Sequence, residues 1–320
     1  MAPIHFPLLA AAIALAASAI CAGPALAKAP LLFADCRGAP TASPTVILEA
    51  GAFGTSADWD RVLDDLSKGG RVCAYDRSGL GRSPPPTGGL GVIARAHELA
   101  DVLDQIGETK PVILVGHSNG ALYVEAFARL WPARVAGLVY VNGVGSDDAG
   151  HPILMHELAQ ERQLSALAAG LGDLGLGGLV ADALSEPGLS PAAAARKRAA
   201  LTCRPCLHVA RDEDRQVEAG VVAVTALPDD VRRIPTAVIV GSPDPPDWRE
   251  PRAWRVAESA PALRAEHGWI LQAQGASHVS PLARDRAYID AAVAWLRSPY
   301  QAPMFSIAVH GSAGAKAPPF

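Results

Sequence analysis

The stretch VILVGHSNGALYVEAF, Val112 to Phe127, constrains the fold more than any other part of the chain. Four apolar residues run into Gly116-His117-Ser118-Asn119-Gly120. Apolar residues then recur at Leu122, Ala126 and Leu130, which is helical spacing. A buried strand is therefore expected to turn sharply into a helix, with a serine at the apex between two glycines. That context reads as a nucleophile elbow: the tight turn pushes the Ser118 hydroxyl out of the packed sheet. The helix N-terminus behind it favours negative charge developing at the site.

Other short apolar runs look like further strands covered on both faces. They are Thr45 to Ala50, Arg71 to Tyr75, Val135 to Val141, Thr236 to Val240 and Trp269 to Ala273. Helical patterns lie between them. Asp58 to Lys68 stops at Gly69-Gly70, and Leu99, Val102, Leu103 and Ile106 share one face of Leu90 to Gly107. Ile289, Val293 and Leu296 pattern Arg284 to Arg297. The alternation predicts an α/β fold with a mostly parallel sheet. Gly145 to Arg233 breaks it. This segment holds no convincing strand, has Gly-rich breaks near Gly170 and Gly177, and has a helix start at Ser190-Pro191. It is too long for a plain connection and reads as an inserted helical lid.

The chain has 320 residues, of which half are apolar and 19% charged, with a net charge of −4. No basic patch invites nucleic acid or an anionic membrane surface. Leu8 to Ile20 is almost unbroken Ala, Leu and Ile, and Ala25-Leu26-Ala27 supplies small residues before a cut. Residues 1–27 are read as a secretory signal, too short for a stable span. Cleavage near Ala27 leaves Cys36, Cys73, Cys203 and Cys206, an even set that suits disulfides in an exported chain. Cys203-Arg204-Pro205-Cys206 matches C-x-x-C without the context of a redox or haem motif. It is read as a local disulfide or as inert thiols.

A serine nucleophile needs a base, and the base needs an orienting acid. After an elbow the order is serine, acid, histidine. His278, in Gly275-Ala276-Ser277-His278, follows the last apolar run. Asp244, in Gly241-Ser242-Pro243-Asp244, follows the one before it. Both fall at carboxyl ends of parallel strands, where sites form in open sheets. Asp247, or Asp147-Asp148, are the competing acids. The oxyanion donors are expected to be the backbone N–H of Asn119 and that of Ala52, with Phe53 as its alternative, in LEAGAFGTSADW.

Together LEAG, RVCAYDRSGLGRS (Arg71 to Ser83), GHSNG and GASH carry a resemblance. From about Pro44 to Arg297 the chain is similar to α/β-hydrolases of the single-domain esterase/lipase type with a helical cap. It looks most like a bacterial branch with LEAG where others have His-Gly. The resemblance fits a core from 28–144 and 235–298 and a cap from 145–234; the tail from 299–320, rich in Pro, Gly and Ala, is read as poorly ordered. It implies Ser118, Asp244 and His278 as nucleophile, acid and base, with Asp76 and Arg77 holding a loop. Cys36 would pair with Cys73 on a neighbouring strand. Some relatives carry an Asp where this chain has Asn142, which favours Asp244. The expected activity is hydrolysis of small hydrophobic esters through an acyl-enzyme, with no metal or organic cofactor. Rival readings are an amidase or aminopeptidase, a C–C bond hydrolase, a cofactor-free haloperoxidase, or a binding module that kept the fold.

Overall fold

The computed structural model describes residues 31–148, 152–184, 187–242, 257–298 and 304–309. Its strands are β1 (Ala34–Arg37), β2 (Val46–Glu49), β3 (Val72–Tyr75), β4 (Val112–His117), β5 (Val135–Val141), β6 (Thr236–Ser242), β7 (Gly268–Gln274) and β8 (Met304–Val309). They form one sheet in the order β1-β3-β2-β4-β5-β6-β7-β8. Only β1, paired with β3, runs antiparallel.

Helices cover both faces. They are α1 (Asp60–Leu66), α2 (Val92–Gln105), α3 (Asn119–Leu130), α4 (Pro152–Asp173), α5 (Gly177–Ala183), α6 (Pro191–Thr202), α7 (Arg204–Thr225), α8 (Ala260–Arg264) and α9 (Ala287–Arg297). The alternation within β4 shows why its run is wholly apolar. Val112 and Leu114 join a core shared with α2, α3 and α7, whereas Ile113 and Val115 join a core shared with α1 and α9. A strand buried on both faces has no side left for polar residues.

Helices α4 to α7 fill the segment between β5 and β6, and we refer to them as the cap. Ser190 caps α6, accepting from the Ala193 N–H, with Pro191 in the first turn. Two expectations need correction. Gly170 does not break the chain: α4 continues to Asp173, and the break falls at Leu174–Leu176. Within the segment from 299 to 320, read as a poorly ordered tail, Met304–Val309 pairs in parallel with β7 as strand β8. Its sequence, MFSIAV, is apolar enough to add an edge strand, and the Pro- and Gly-rich flanks masked that signal. Residues 1–27, with the expected export signal, lie outside the described residues.

The register sets where chemistry can occur. Glu49 lies level with Gly116, His117 with Val141, and Val141 with Ile239. The loops after β2, β4, β5 and β7 therefore leave one edge of the sheet together, beneath the cap.

Candidate active site

Ser118 has φ 53° and ψ −128°, a backbone state costly for a residue with a side chain. The sheet and helix enforce it from both sides. Ser118 N–H donates to Val141 O at 3.1 Å, and its carbonyl accepts from Ala121 at 3.0 Å and Val144 at 3.2 Å. Gly120 is required by close approach: a Cβ there would lie 2.6 Å from both the Glu49 and Ala50 carbonyl oxygens. A Cβ on Gly51 would lie 2.8 Å from Ser118 Cβ, so the loop after β2 passes directly beside the nucleophile. Helix α3 begins at Asn119, whose N–H belongs to the first turn and has no helical carbonyl to bond.

His278 faces the same cavity as Ser118. Its backbone is fixed from two directions. The carbonyl accepts from Asn142 Nδ2 at 2.9 Å and from His117 Nε2 at 3.0 Å. Asn142 also accepts from the Gly241 N–H through Oδ1 at 2.5 Å, so it staples the end of β6 to the histidine loop. His117 is buried, with its ring edge-on to Trp59. Burial and then the neighbouring His278 push its pKa down to about 3, so it stays neutral and donates through Nε2. For His278, enclosure lowers the pKa toward about 4. Because the residue is exposed at the cavity, solvent limits the size of that shift while its direction stands.

Asp244 and Asp247 lie outside the described residues. Asp147 is held by Arg264 at 2.7 Å. It lines a second cavity with Arg129, Ser146 and Arg264, which shares no residue with the cavity at Ser118.

That cavity has a volume of about 490 Å³. Ala52 and Phe53 line one side. Leu164, Leu167 and Leu171 of α4, and Leu179 and Leu184 at α5, line the other. Leu164, Leu167 and Leu179 are each more than half exposed, which gives the cavity an apolar mouth. Three cap residues tie the wall to the core. Lys197 of α6 pairs with Asp58 at 2.6 Å and donates to the Phe53 carbonyl at 3.3 Å. Phe53 itself has φ 53°. The Asn119 side chain donates to Glu161 at 3.3 Å and Asp214 at 3.4 Å. Burial, then Glu161 and Glu213, push the Asp214 carboxyl well above the usual range.

Behind the loop after β2 lies a buried charge network that explains LEAG and YDRSG together. Tyr75 Oη donates to Glu49. Arg77 donates to Glu49 at 2.8 Å, to Ala50 O at 2.6 Å and to Gly51 O at 3.0 Å. Asp76 accepts from the Ser56 N–H at 2.7 Å and the Arg82 N–H at 2.8 Å, so both residues hold loops as expected. Both cysteine pairs are joined, Cys36 to Cys73 across β1 and β3, and Cys203 to Cys206 where α6 meets α7.

A strained serine at the head of a helix thus faces one cavity with a histidine from the loop after β7. The family model for the alpha/beta hydrolase family matches residues 46–292. The chain belongs to this family. An alpha/beta hydrolase superfamily protein of Gibberella zeae is 32% identical over 163 residues, 47% of each chain. The 2-hydroxy-6-oxo-2,4-heptadienoate hydrolase of Pseudomonas putida is 37% identical over 106 residues, 32% of this chain and 38% of that one. The chain thus spans less than half the length of these curated relatives. Among solved structures, a thermophilic esterase from Thermogutta terrifontis superposes with a TM-score of 0.59 at 21% identity, over 83% of this chain and 93% of that one. Within this alpha/beta hydrolase the structure brings Ser118 and His278 to one cavity, while the sequence did not foresee the clasp made by Asn142 or the contacts of Lys197 and Glu213. Glu213 had a signal: it falls in the buried series Leu207, Ala210, Glu213, Val217 and Val221 on one face of α7.

Proposed function

We propose that this alpha/beta hydrolase is an exported serine hydrolase that cleaves carboxylic esters through Ser118, His278 and an acid at Asp244. The observation that carries the reading is the elbow: Ser118 at positive φ, at the head of α3, sharing an apolar cavity with His278. Ser118 Oγ attacks the ester carbonyl while His278 takes its proton. The tetrahedral oxyanion accepts the N–H groups of Ala52 and Asn119. Collapse expels the alcohol, which receives the proton from His278. Water activated by His278 then releases the acid and restores Ser118. The leucine-lined cavity supports a small or medium apolar acyl or alcohol group. Two disulfides support an oxidising compartment, hence export.

A panel of p-nitrophenyl esters of rising chain length, run beside amino-acid p-nitroanilides, tests the reaction. Ester turnover that vanishes in Ser118→Ala supports the reading. Turnover of the anilides alone would move the reaction to amides. Failure of a fluorophosphonate probe to label the folded protein would favour a binding module. The 2-hydroxy-6-oxo-2,4-heptadienoate hydrolase among the relatives makes that compound a further substrate to include.

A further inference from the structure

The guanidinium of Arg77 has five N–H donors, and all are engaged. Nη1 bonds Glu49 and the Ala50 carbonyl. Nη2 bonds the Gly51 carbonyl and Glu213 Oε2, and Nε bonds Glu213 Oε1, both carboxylate contacts at 2.9 Å. Arg77, Glu49 and Glu213 are each about 1% exposed, so no water competes. Glu213 belongs to the cap, on α7. Burial alone would raise its pKa, but Arg77 and Arg95 outweigh that and hold it below the usual carboxylate range.

The Gly51 carbonyl and the Ala52 N–H are two ends of one planar peptide unit. Fixing the carbonyl oxygen therefore fixes the direction of the N–H. We propose that Glu213 is a positioning residue for the oxyanion hole, an inference that rests on the acyl-transfer reading above. Its forked carboxylate sets the plane of the Arg77 guanidinium. Arg77 Nη2 and the Gly54 N–H, which donates to the same carbonyl at 3.1 Å, set the Gly51–Ala52 peptide, and the peptide aims the Ala52 N–H beside Ser118. A cation on the carbonyl also polarises the same peptide and strengthens its N–H as a donor. The cap thus builds part of the catalytic apparatus as well as the wall of the cavity.

Arg95 supplies the internal control. It pairs with Glu213 at 2.7 Å and with Glu98 and Ser78, and none of its bonds reaches the Ala50 or Gly51 carbonyl. The test compares Glu213→Gln with Arg95→Met in the full chain. Two readouts are used: steady-state hydrolysis of p-nitrophenyl acetate, and amide hydrogen exchange over residues 50–54. Losing an oxyanion donor costs about 10²–10³ in turnover, and misaiming one costs less. Glu213→Gln is expected to lower kcat by about 10–100-fold with KM within about threefold, and to speed exchange over 50–54. Arg95→Met is expected to lower the melting temperature with kcat within about threefold.

Unchanged exchange over 50–54 in Glu213→Gln overturns the proposal, as does a kcat loss no larger than that of Arg95→Met. If Glu213→Gln does not fold, Glu213→Asp, which keeps the charge and shortens the reach, is judged by the same readouts and limits. If the wild-type protein neither turns over esters nor reacts with a fluorophosphonate, the acyl-transfer reading fails. Loop exchange in the variants then decides the positioning claim by itself.

Discussion

The nucleophile elbow and the oxyanion loop meet at Ser118, and each contains a residue at φ 53°. They are held there in different ways. The elbow is enforced largely by one contiguous stretch, β4 and α3 with Gly120 in the helix's first turn, together with the neighbouring strands. The loop after β2 is held by groups from distant parts of the chain. Arg77 follows β3, Lys197 sits on α6 and Glu213 on α7. Backbone strain at a functional site persists only where its surroundings over-determine it. One half of this site is over-determined by local packing, and the other by buried charge brought from the loop after β3 and from the cap.

The sharpest break is at the elbow. Ser118→Ala is expected to reduce ester turnover by at least about 10⁴. The melting temperature should stay nearly unchanged, because the hydroxyl makes no packing contribution of note. Wild-type turnover in that variant would remove the nucleophile from the scheme.

The acid comes next in size. In a serine-protease triad, replacing the acid by its amide costs about 10⁴, because the amide can donate and leaves the imidazole in the wrong tautomer. Asp244→Asn should cost about 10²–10⁴, while Asp247→Asn and Asp147→Asn stay within about tenfold. Asp147 is already engaged by Arg264. Near-normal activity in Asp244→Asn with collapse in Asp247→Asn would shift the acid by three residues and leave Ser118 and His278 in place.

The same contrast governs what the sequence reveals. A strand, an apex serine and an amphipathic helix are contiguous, so periodicity placed β4, Ser118 and α3 correctly. His278 was legible for a related reason, since it follows an apolar run at a fixed point in the chain order. Asn142 was noted only as a missing acid, yet it clasps the His278 carbonyl and the Gly241 N–H together. Nothing in spacing can announce a partner more than 130 residues away. Glu49, Arg77 and Glu213 are likewise charges within apolar surroundings, and only folding brings them together. The β8 hexapeptide was lost among Pro and Gly because single edge strands carry little periodic signal.

Titration offers a smaller effect on the same site. His278 must be neutral to accept the Ser118 proton. Partial desolvation at the cavity lowers its pKa, so protonation should set in below the ordinary histidine value of about 6.5. The acid limb of kcat/KM for a p-nitrophenyl ester should therefore fall below pH 6.5, with about tenfold lost per pH unit beneath it. A limb above that value would mean that the histidine is stabilised as a cation in the free enzyme.

Lys197 tests the charged half of the comparison from its other side. Lys197→Met removes the donor to Phe53 O and leaves Asp58, 2% exposed, without its cation. Breaking a buried pair in this way costs about 3–5 kcal/mol, and kcat should fall by about tenfold as the loop loosens. Lys197→Met combined with Asp58→Asn separates the two effects. It should recover much of the melting temperature, because no charge is stranded, and leave kcat low. Recovery of both would show that only global stability had been lost.

The smallest effect concerns apolar support for the same loop. Cys203 and Cys206 pack with Leu80 and Phe53, so the disulfide at the junction of α6 and α7 leans on the oxyanion loop. If packing fixed Phe53, removing this bond would damage catalysis. The carbonyls of residues 50, 51 and 53 are instead held by Arg77 and Lys197, which a Cys203→Ala/Cys206→Ala variant leaves untouched. By chain entropy, closing a separation of three residues contributes about 1.5 kcal/mol. The bond from Cys36 to Cys73 spans 37 residues and is worth about 4 kcal/mol on the same basis. Cys203→Ala/Cys206→Ala should thus lose about 1–2 kcal/mol in urea unfolding and keep kcat within about threefold. Cys36→Ala/Cys73→Ala should lose more stability, again with little change in kcat, since β1 lies at the edge of the sheet away from the site. A tenfold fall in kcat confined to the Cys203 and Cys206 variant would reverse the assignment. Phe53 would then be held by the packed disulfide, and the contrast between a packed elbow and a charge-held loop would no longer describe this site.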